Sequence, residues 1–363
     1  MKKIFIAATK QNDGKTTVAL GLIFNFKKIF RQIGFIKPVG QRYLEEDGLK
    51  IDEDSLLIEE SMKLCGIKGK LKDMSPVAVE KGFTEDYIRR PKAQAITRQI
   101  QASFRRISQR KNLVVIEGTG HAGVGSVFDH SNAKVAKTLG SKVILVSSGG
   151  IGRPIDEIIL NKALFDREGV KLAGVIINKV MPEKFSKINE LVRQGLRLKG
   201  VDVLGVIPYK PMLSYPTIRQ ISEETNFKVL PGYGDTALDN YVAKIVVGAM
   251  QSKDAERYIV DQSLIITPGD REDIIKLALD FHKQNCRISG IVLTGDMMLS
   301  QEMINQAKEE SIPILLAKLD TYTVVSMIHD LNIKIRPKDI GKIEIVEQMI
   351  QQYVDLDKLL RRM

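Results

Sequence analysis

The sequence predicts an α/β protein, and two features lead to that expectation. Short apolar runs alternate with longer amphipathic stretches, which is the pattern of a mostly parallel sheet with helices on both faces. The chain has 363 residues, 44% of them hydrophobic and 27% charged, a length that allows two domains to bury separate cores. We therefore expect two α/β domains, at residues 1–220 and 221–363, with the boundary after a proline cluster that ends at Pro216.

The order of the expected elements follows from the same periodicity. In the first domain, strands are expected at residues 3–8, 34–39, 112–117, 142–147, 172–178 and 203–207, and helices include residues 15–30, 54–64 and 153–166. In the second domain, buried strands are expected at residues 263–269, 288–295 and 312–320, each followed by a helix, and a final amphipathic helix at residues 343–360.

A loop suited to phosphate binding follows the first strand. The segment "KQNDGKT", which begins at Lys10, lies between the buried strand "KKIFIAA" and a stretch of helical periodicity. Backbone N–H groups and the positive dipole end at a helix start favour an anion, while Lys15 supplies a point charge and Thr16 offers a hydroxyl to Mg²⁺. The predicted nucleotide-binding residues of this loop are Asn12, Asp13, Gly14, Lys15, Thr16 and Thr17. The alternative is a glycine-containing turn with an ordinary threonine cap.

This loop differs from the familiar pattern G-x-x-x-x-G-K-[ST], because Thr9 stands where the first glycine belongs. The segment fits K-x-x-x-G-K-[ST], in which Lys10 replaces part of the glycine-rich cradle. In nucleotidases that resemble this pattern, the early lysine reaches phosphates across a homodimer interface, so the resemblance implies a homodimer. The alternative for Lys10 is an exposed loop lysine.

Two carboxylates are placed to complete a magnesium site with Thr16, since Mg²⁺ takes hard oxygen ligands. Glu117 closes the apolar strand "NLVVIEG" at the carboxyl edge, where open α/β sheets bind ligands; the alternative is a solvated strand end. Asp54 lies in "IDEDSLLIEE" at a helix start, where acidic residues also occur because they favour that helix end. The predicted metal ligands are therefore Thr16, Asp54 and Glu117.

Polar residues also end two further strands. Lys37 in "GFIKPVG" can hold a carboxylate or a phosphate near the loop, and Pro38 forbids simple continuation of that strand in a central position. Asn178 in "LAGVIINKV" has an amide that can donate to and accept from an adenine edge. Each of these signals is weak when it is taken singly.

Taken together, these motifs resemble a known family. The segments "ATKQNDGKT", "FIKPVG", "DEDSLL", "VVIEGTG", "GVIINKV" and "GVIPY" stand in the order and approximate spacing of dethiobiotin synthetase and its relatives, including the cobyrinate diamide synthases. Residues 4–208 resemble that family, which implies a P-loop NTPase-type fold. Later segments, such as "PGDREDIIKLAL", resemble a DRTGG domain, although residues 269–273 depart from its namesake motif after the arginine. The combination is similar to the regulatory half of long phosphotransacetylases, and we expect no acetyltransferase domain here.

The resemblance implies roles for the site, with ATP and Mg²⁺ as the cofactors. The loop "GTGHAGVGSVFDHSN" lacks the aromatic and proline-containing pattern of true dethiobiotin synthetases, so biotin synthesis is not the predicted activity. Lys15 and Thr16 would bind phosphate and metal, and Asp54 and Glu117 would complete the magnesium shell. Asn178 would read adenine. The implied catalytic lysines, which would stabilise the phosphoryl group or an acidic substrate, are Lys10, Lys15 and Lys37.

The predicted function is a Mg²⁺-dependent ATPase or ATP-dependent ligase that acts on a small acidic metabolite, with a regulatory DRTGG domain. The alternative is a non-catalytic sensor of nucleotide and metabolite that regulates a partner enzyme such as a phosphotransacetylase. In the second domain, Asp270, Arg271, Asp296 and Asp320 follow predicted strands and are candidates for a ligand pocket. Asp270 and Asp320 are equally well explained as helix caps.

Charge and composition bear on the remaining classes of partner. The net charge of +11 favours anions, and residues 89–111 carry eight basic residues and no acidic one. An apolar stripe at helical spacing is formed there by Ile96, Ile100, Phe104 and Ile107. We therefore expect a surface helix rather than a nucleic-acid interface. No apolar stretch reaches the roughly 20 residues of a membrane span, and no signal peptide is recognisable, so we expect a cytoplasmic protein without membrane contact.

Disulfide and zinc sites are not expected. Cys65 and Cys286 are the two cysteines of the chain, and they lie far apart without ligand-like spacing. None of the four histidines is paired at helical spacing. The oxygen-rich loop and strand ends described above are therefore the expected site of chemistry.

Overall fold

The chain folds into two compact units. The computed structural model describes residues 1–46, 48–64, 66–67, 69–331 and 333–363, so Cys65 lies outside the described residues. The first unit contains Met1–Tyr209 and Ile335–Met363, and the second contains Lys210–Lys334. The predicted α/β fold is confirmed, since each unit has a mostly parallel sheet flanked by helices.

The first unit alternates strands and helices from its first residues. Its strands are β1 (Lys2–Ala8), β2 (Ile33–Ile36), β3 (Val39–Gly40), β4 (Tyr43–Glu46), β5 (Leu49–Asp52), β6 (Val77–Ala78), β7 (Leu113–Glu117), β8 (Lys142–Ser148), β9 (Leu172–Val180) and β10 (Val203–Pro208). Its helices up to that point are α1 (Lys15–Lys27), α2 (Glu53–Leu64), α3 (Leu71–Met74), α4 (Phe83–Arg89), α5 (Ala93–Ser108), α6 (Asn132–Thr138), α7 (Gly152–Arg167) and α8 (Phe185–Arg197).

The main sheet of this unit has the order β10-β9-β8-β1-β7-β2, and each neighbouring pair is parallel. Strand β1 lies between β7 and β8, so the chain builds the sheet first on one side of β1 and then on the other. A switch of this kind opens a crevice at the carboxyl ends of the central strands, where ligands bind in open α/β sheets. Among the predicted site residues, Glu117 ends β7, and the loop that contains Lys10 follows β1.

The strand expected at residues 34–39 is shorter in the structure. Strand β2 ends at Ile36, and the N–H of Lys37 donates to the carbonyl of Met74 at 2.7 Å instead of continuing the sheet ladder. Pro38 has no N–H with which to extend the pairing. This turn away from the sheet directs the chain, with Lys37, across the carboxyl edge.

The second unit has a sheet of its own. Its strands are β11 (Lys228–Val229), β12 (Lys244–Val247), β13 (Ser263–Pro268), β14 (Ile288–Thr294) and β15 (Ile314–Leu316), and its helices are α9 (Ile218–Thr225), α10 (Asp235–Leu238), α11 (Ser252–Ala255), α12 (Glu272–Lys283), α13 (Gln301–Glu309) and α14 (Thr321–His329). The sheet order is β11-β15-β14-β13-β12, with β11 antiparallel to β15 and the other neighbours parallel.

The end of the chain returns to the first unit, which differs from the expected division at residue 220. Helix α15 (Ile340–Tyr353) packs on α1, where Asn25 donates its side-chain amide to the carbonyl of Glu347 at 2.9 Å. The expected final helix is interrupted, because the N–H of Asp355 donates to Leu204 in β10 at 2.8 Å and the Asp355 side chain then caps α16 (Leu356–Arg362). The apolar face of α15 is thus buried against the first unit.

None of the helices in the described ranges has both the length and the apolar character that a membrane span requires.

The packing of α15 on α1 predicts an asymmetry between two helical glycines. A methyl group added at Gly21 would lie 2.4 Å from Cγ1 of Ile350, whereas one added at Gly341 meets no atom within 4 Å. Both changes to alanine favour helix formation, but overpacking at Gly21 costs about 1–3 kcal/mol. Gly21→Ala should lower the free energy of unfolding relative to Gly341→Ala in denaturant titrations. Equal stability of the two variants would contradict this packing.

Candidate functional site

The loop between β1 and α1 forms the base of the site. Gly14 precedes the helix in the left-handed conformation, with φ of 99°, and no side chain caps the N–H groups of the first turn among the described residues. A Cβ at Gly14 would lie 2.2 Å from Nδ2 of Asn178, so only glycine fits there. The uncapped N–H groups leave the start of α1 open to an anion.

Asp13 organises the loop from the inside. Its side chain is 3% exposed. Oδ2 accepts hydrogen bonds from Thr9 Oγ1 and from the N–H of Lys10, both at 2.8 Å, and Oδ1 accepts one from Ser148 at the end of β8. Asp13, one of the predicted binding residues, therefore holds the loop in shape and connects it to the sheet. This arrangement gives no support to a contact of its side chain with nucleotide, which stays a prediction.

Strand β9 braces the same loop from its end. The amide of Asn178 donates through Nδ2 to the carbonyl of Asp13 at 2.9 Å and accepts the N–H of Lys179 on Oδ1 at 2.9 Å. Lys179 Nζ donates to the carbonyl of Asn12 at 2.7 Å. In this structure both ends of the Asn178 amide are engaged with the protein and support the loop, and the contact of Asn178 with adenine stays a prediction.

The first turn of α1 presents the residues expected to contact phosphate. Lys15 is buried, and that burial lowers the pKa of its ammonium, while the charge of Glu117 opposes the shift. Thr16 and Thr17 are half-buried. A buried lysine at an uncapped helix start has lost most of its water, so its ammonium is a favourable partner for an anion such as phosphate.

Thr16 and Glu117, predicted to share a metal ion, lie next to each other. Strand β7 runs parallel to β1 with Glu117 beside Ile6, which places the carboxylate at the carboxyl edge close to the loop. Thr16 Oγ1 donates to Glu117 Oε1 at 2.7 Å. Glu117 is fully buried, and its Oε2 has no hydrogen-bond partner among the described residues. The interpretation of Glu117 as a solvated strand end is therefore wrong.

Lys37 connects the buried carboxylates at this edge. Its Nζ lies 2.9 Å from Asp52 Oδ1 and 3.8 Å from Glu117 Oε1, and it forms a short ion pair with Asp54 Oδ2. Asp54 is thus brought to the same place as Glu117, as the sequence predicted. Lys37 binds carboxylates of the chain itself here, and its contact with a phosphoryl group or an acidic substrate stays a prediction.

Burial dominates the electrostatics of this cluster. It raises the pKa of Glu117 to about 7 and raises the pKa of Asp52, in both cases against the opposing charge of Lys37. For Lys37, burial lowers the pKa, but the carboxylates of Asp54, Glu117 and Asp52 outweigh it, so its pKa lies above the usual range. The ammonium of Lys37 therefore stays charged, and its positive charge offsets the negative charge of these buried acids.

The donor set fits a magnesium ion held together with a phosphate. No group of three or more histidine, cysteine, aspartate or glutamate side chains within the described ranges is arranged as a metal site by itself. Mg²⁺, however, keeps several waters and takes only one or two carboxylates when phosphate oxygens complete its shell. The Thr16 hydroxyl and the unpartnered Oε2 of Glu117 are oxygen donors of that kind, so Thr16 and Glu117 fit the ion.

Lys10 lies at the outer side of the loop. Its Nζ forms an ion pair with Glu157 Oε1 of α7 at 2.5 Å, and its side chain is 41% exposed. Glu157 also accepts from Arg153 Nε at 2.8 Å. In the single chain, Lys10 is therefore an exposed loop lysine paired within its own protomer, and its contact with phosphate stays a prediction.

Sequence reasoning missed Asp52 and Ser148 as parts of the site. Asp52 was not among the predicted site residues, yet it is 2% exposed and binds Lys37. Its position at the end of the short strand segment "LKID" was the available signal, because a carboxylate that is buried at a strand end requires a partner. No motif pointed to Ser148, because it lies in β8, far from the loop in sequence. The fold alone brings its side chain to Asp13.

In the second unit, the helix-cap interpretation of Asp320 is confirmed. Its Oδ1 accepts the N–H of Thr323 at 3.0 Å at the start of α14. Arg271 donates to the carbonyls of Gly248 and Met250 at 3.1 and 2.6 Å and pairs with Asp273. Asp296 lies 3.8 Å from Lys318. These contacts explain the residues locally, so the ligand-pocket interpretation gains no support from them.

The raised pKa of Glu117 predicts how stability depends on pH. Between its ordinary pKa of 4.5 and about 7, the folded chain holds a proton at Glu117 that the unfolded chain has released, so this group's contribution to stability falls as the pH rises through that window. The free energy of unfolding of Glu117→Gln should therefore rise relative to that of the wild type as the pH increases from about 5 to about 8. The total change in this difference should be on the order of 2–3 kcal/mol. Denaturant titrations at several pH values measure this difference.

A matched control is Glu190→Gln, which removes an exposed carboxylate from α8. This variant should follow the pH dependence of the wild type. If Glu117→Gln follows it as well, the burial argument for Glu117 is wrong.

Comparison with known proteins places the chain in a family. Residues 2–217 match the family model described as an AAA domain, and residues 220–331 match the model described as a DRTGG domain. The phosphate acetyltransferases of Synechocystis sp. and Pseudomonas putida are 27% and 26% identical, covering 98% and 100% of this chain and 51% and 52% of those proteins. The chain thus spans about half the length of the curated relatives it matches.

One solved structure to which the chain was found similar is the septum site-determining protein MinD of Pyrococcus horikoshii, complexed with Mg-ADP. It has 17% identity and a TM-score of 0.36, covering 58% of this chain and 83% of that one. The AAA-domain model alone covers more than half of the 363 residues. The chain therefore belongs to the AAA-domain family, and a DRTGG domain follows its AAA domain.

Proposed function

We propose that the first unit binds Mg-ATP at the loop before α1 and acts as an ATPase or as an ATP-dependent ligase on a small acidic metabolite. The observation that carries this proposal is the contact of Thr16 Oγ1 with Glu117 Oε1 at 2.7 Å, beside the uncapped start of α1. A hydroxyl and a buried carboxylate next to anion-binding N–H groups supply the partners that a metal-bound triphosphate needs.

In this proposal, different residues bind the phosphates, hold the metal ion and stabilise the transferring group, according to their charge and position. The first-turn N–H groups of α1 and the ammonium of Lys15 bind the terminal phosphates and hold them in one orientation. A magnesium ion held by Thr16 and Glu117, with Asp54 close by, supplies charge neutralisation on the phosphate oxygens. Lys37 adds positive charge at the same edge, where it can hold a transferring phosphoryl group or an acidic substrate. Such chemistry consists mostly of positioning and charge stabilisation.

A non-catalytic nucleotide sensor is the second candidate. It is favoured by the similarity to about half of each phosphate acetyltransferase and by the match to a DRTGG domain. In this function, the same loop binds nucleotide without turnover and the chain regulates a partner enzyme. Reciprocal coupling of two ligands, by the same factor in both directions, is its thermodynamic signature.

Removal of the Lys15 ammonium tests nucleotide binding. Lys15→Ala should weaken Mg-ATP binding by at least about tenfold and abolish turnover, because a buried charge-assisted contact is worth on the order of 1.5–3 kcal/mol. Titration calorimetry and a phosphate-release assay measure the two effects separately. The control is Lys187→Ala, which removes an exposed lysine from α8 and should change neither.

The outcomes separate the candidates. Binding that depends on Lys15, together with phosphate release, supports the enzyme. Binding that depends on Lys15 without release in the presence of any small carboxylic acid supports the sensor. If Lys15→Ala binds Mg-ATP as tightly as Lys187→Ala does, neither function resides in this loop.

We also propose that the chain works as a cytoplasmic homodimer in its nucleotide-bound state, as the loop pattern with Lys10 implies. Lys10 would then exchange its ion pair with Glu157 for a phosphate of the facing protomer. Sedimentation in the presence of Mg²⁺ and a non-hydrolysable ATP analogue should show a dimer that Lys10→Ala weakens. Glu157→Gln, which frees Lys10 from its pair, should leave the dimer intact. A monomer under all these conditions would contradict the proposal.

A further inference from the structure

Asp52 is held more firmly than a strand-end carboxylate requires. Its Oδ1 accepts the N–H of Asp54 at 3.0 Å as well as the ammonium of Lys37 at 2.9 Å, and its own N–H donates to Ser75 Oγ at 3.0 Å. A Cβ at Gly40 would lie 2.6 Å from both Cβ and Oδ2 of Asp52. Glycine at position 40 thus leaves room for this carboxylate, which is fixed from several sides.

The ammonium of Lys37 competes with a metal ion for the same acids. It pairs with Asp54 and lies 3.8 Å from Glu117 Oε1, the atom that accepts the Thr16 hydroxyl. A divalent cation beside Thr16 and Glu117 would meet the positive charge of Lys37 at close range, in surroundings from which water is largely excluded. Lys37 must therefore withdraw from Asp54 and Glu117 before a metal ion can approach them.

The withdrawn ammonium needs another anion, because Lys37 is only 5% exposed and a buried charge without a partner is costly. Asp52 is the carboxylate in contact with Lys37 that the metal does not need. Its Oδ1 also accepts the N–H of Asp54 at the start of α2, which fixes the carboxylate beside Lys37. Its charge can hold Lys37 while the metal occupies the other acids.

We infer that Asp52 is a positioning residue that retains Lys37 at the side of the site, so that Mg²⁺ can take Asp54 and Glu117 as it enters with the nucleotide. This inference rests on the proposed function, since it assigns a role within the same site. Asp52 acts through Lys37 and does not itself bind the metal. The nucleotide-free chain then has low affinity for the metal, because Lys37 occupies the position.

The first test uses Mn²⁺ alone as the probe, so that it does not depend on nucleotide binding. Electron paramagnetic resonance of the full nucleotide-free chain measures bound Mn²⁺. Lys37→Met should raise the affinity at least about tenfold over the wild type, because the competing ammonium is gone. Asp52→Asn should lower it by about tenfold, since Lys37 then stays with Asp54 and Glu117.

The double variant separates a positioning role from metal ligation. In the Lys37→Met background, Asp52→Asn should change Mn²⁺ affinity by less than about threefold, because there is no ammonium left to position. The matched control is Asp73→Asn, which removes a buried carboxylate paired with Arg106 at 2.6 Å and should leave Mn²⁺ binding unchanged. Thermal unfolding of every variant establishes that the chain is folded.

Each outcome decides the inference. A tenfold loss for Asp52→Asn that persists without Lys37 would show that Asp52 binds the metal directly, and an Asp52→Asn variant that behaves like Asp73→Asn would show no role at all; either result overturns the inference. Failure of the wild type to bind Mg-ATP in calorimetry would contradict the proposed function alone, because the Mn²⁺ comparison is made without nucleotide.

Discussion

Charge compensation around the buried ammonium of Lys37 is the constraint on which the rest of the site depends. The carboxylates of Asp52, Asp54 and Glu117 meet it at the carboxyl edge of the main sheet, where water is scarce. Without that ammonium, the burial of these acids would cost several kcal/mol each. These charged groups are therefore paired with one another in the structure, and under the proposed function ligand binding would exchange their charge partners.

The shape of the loop before α1 depends on hydrogen bonds to its backbone and to Asp13 rather than on ion pairs. Its backbone is held by side chains from β8 and β9, which contact Asp13 and its carbonyl, while Gly14 allows close approach of Asn178. These contacts leave the first-turn N–H groups of α1 without side-chain caps in the described part of the chain. Rigid support from behind and open donors in front are the two properties that make a helix start an anion site.

Much of the fold and part of the site could be predicted from the sequence, because both depend on local patterns. Apolar periodicity located the six strands of the main sheet and three of the five strands of the second sheet to within a few residues, but β11 and β12 were not predicted. The association of Thr16 with Glu117 followed from strand ends that meet at one edge. The return of residues 335–363 to the first unit could not be predicted, since an amphipathic helix does not specify which surface it covers.

The side chains that make contacts other than the predicted ones share one physical reason. Asn178 and Asp13 carry groups that suit a ligand, but the same groups satisfy the loop backbone, and sequence alone does not say which demand is met first. Asp52 was overlooked because burial, rather than residue type, makes a carboxylate significant. The sequence thus shows which chemical groups these side chains carry, whereas the tertiary contacts determine what each group binds in the folded chain.

The most direct test of the account is a crystal structure of the chain with Mg²⁺ and a non-hydrolysable ATP analogue. The account predicts terminal phosphates at the start of α1, a metal ion that contacts the Thr16 hydroxyl and lies beside Glu117, and Lys37 released from Asp54. A nucleotide bound elsewhere, or bound at this loop with the Lys37 and Asp54 ion pair intact and no metal near Thr16, would contradict it.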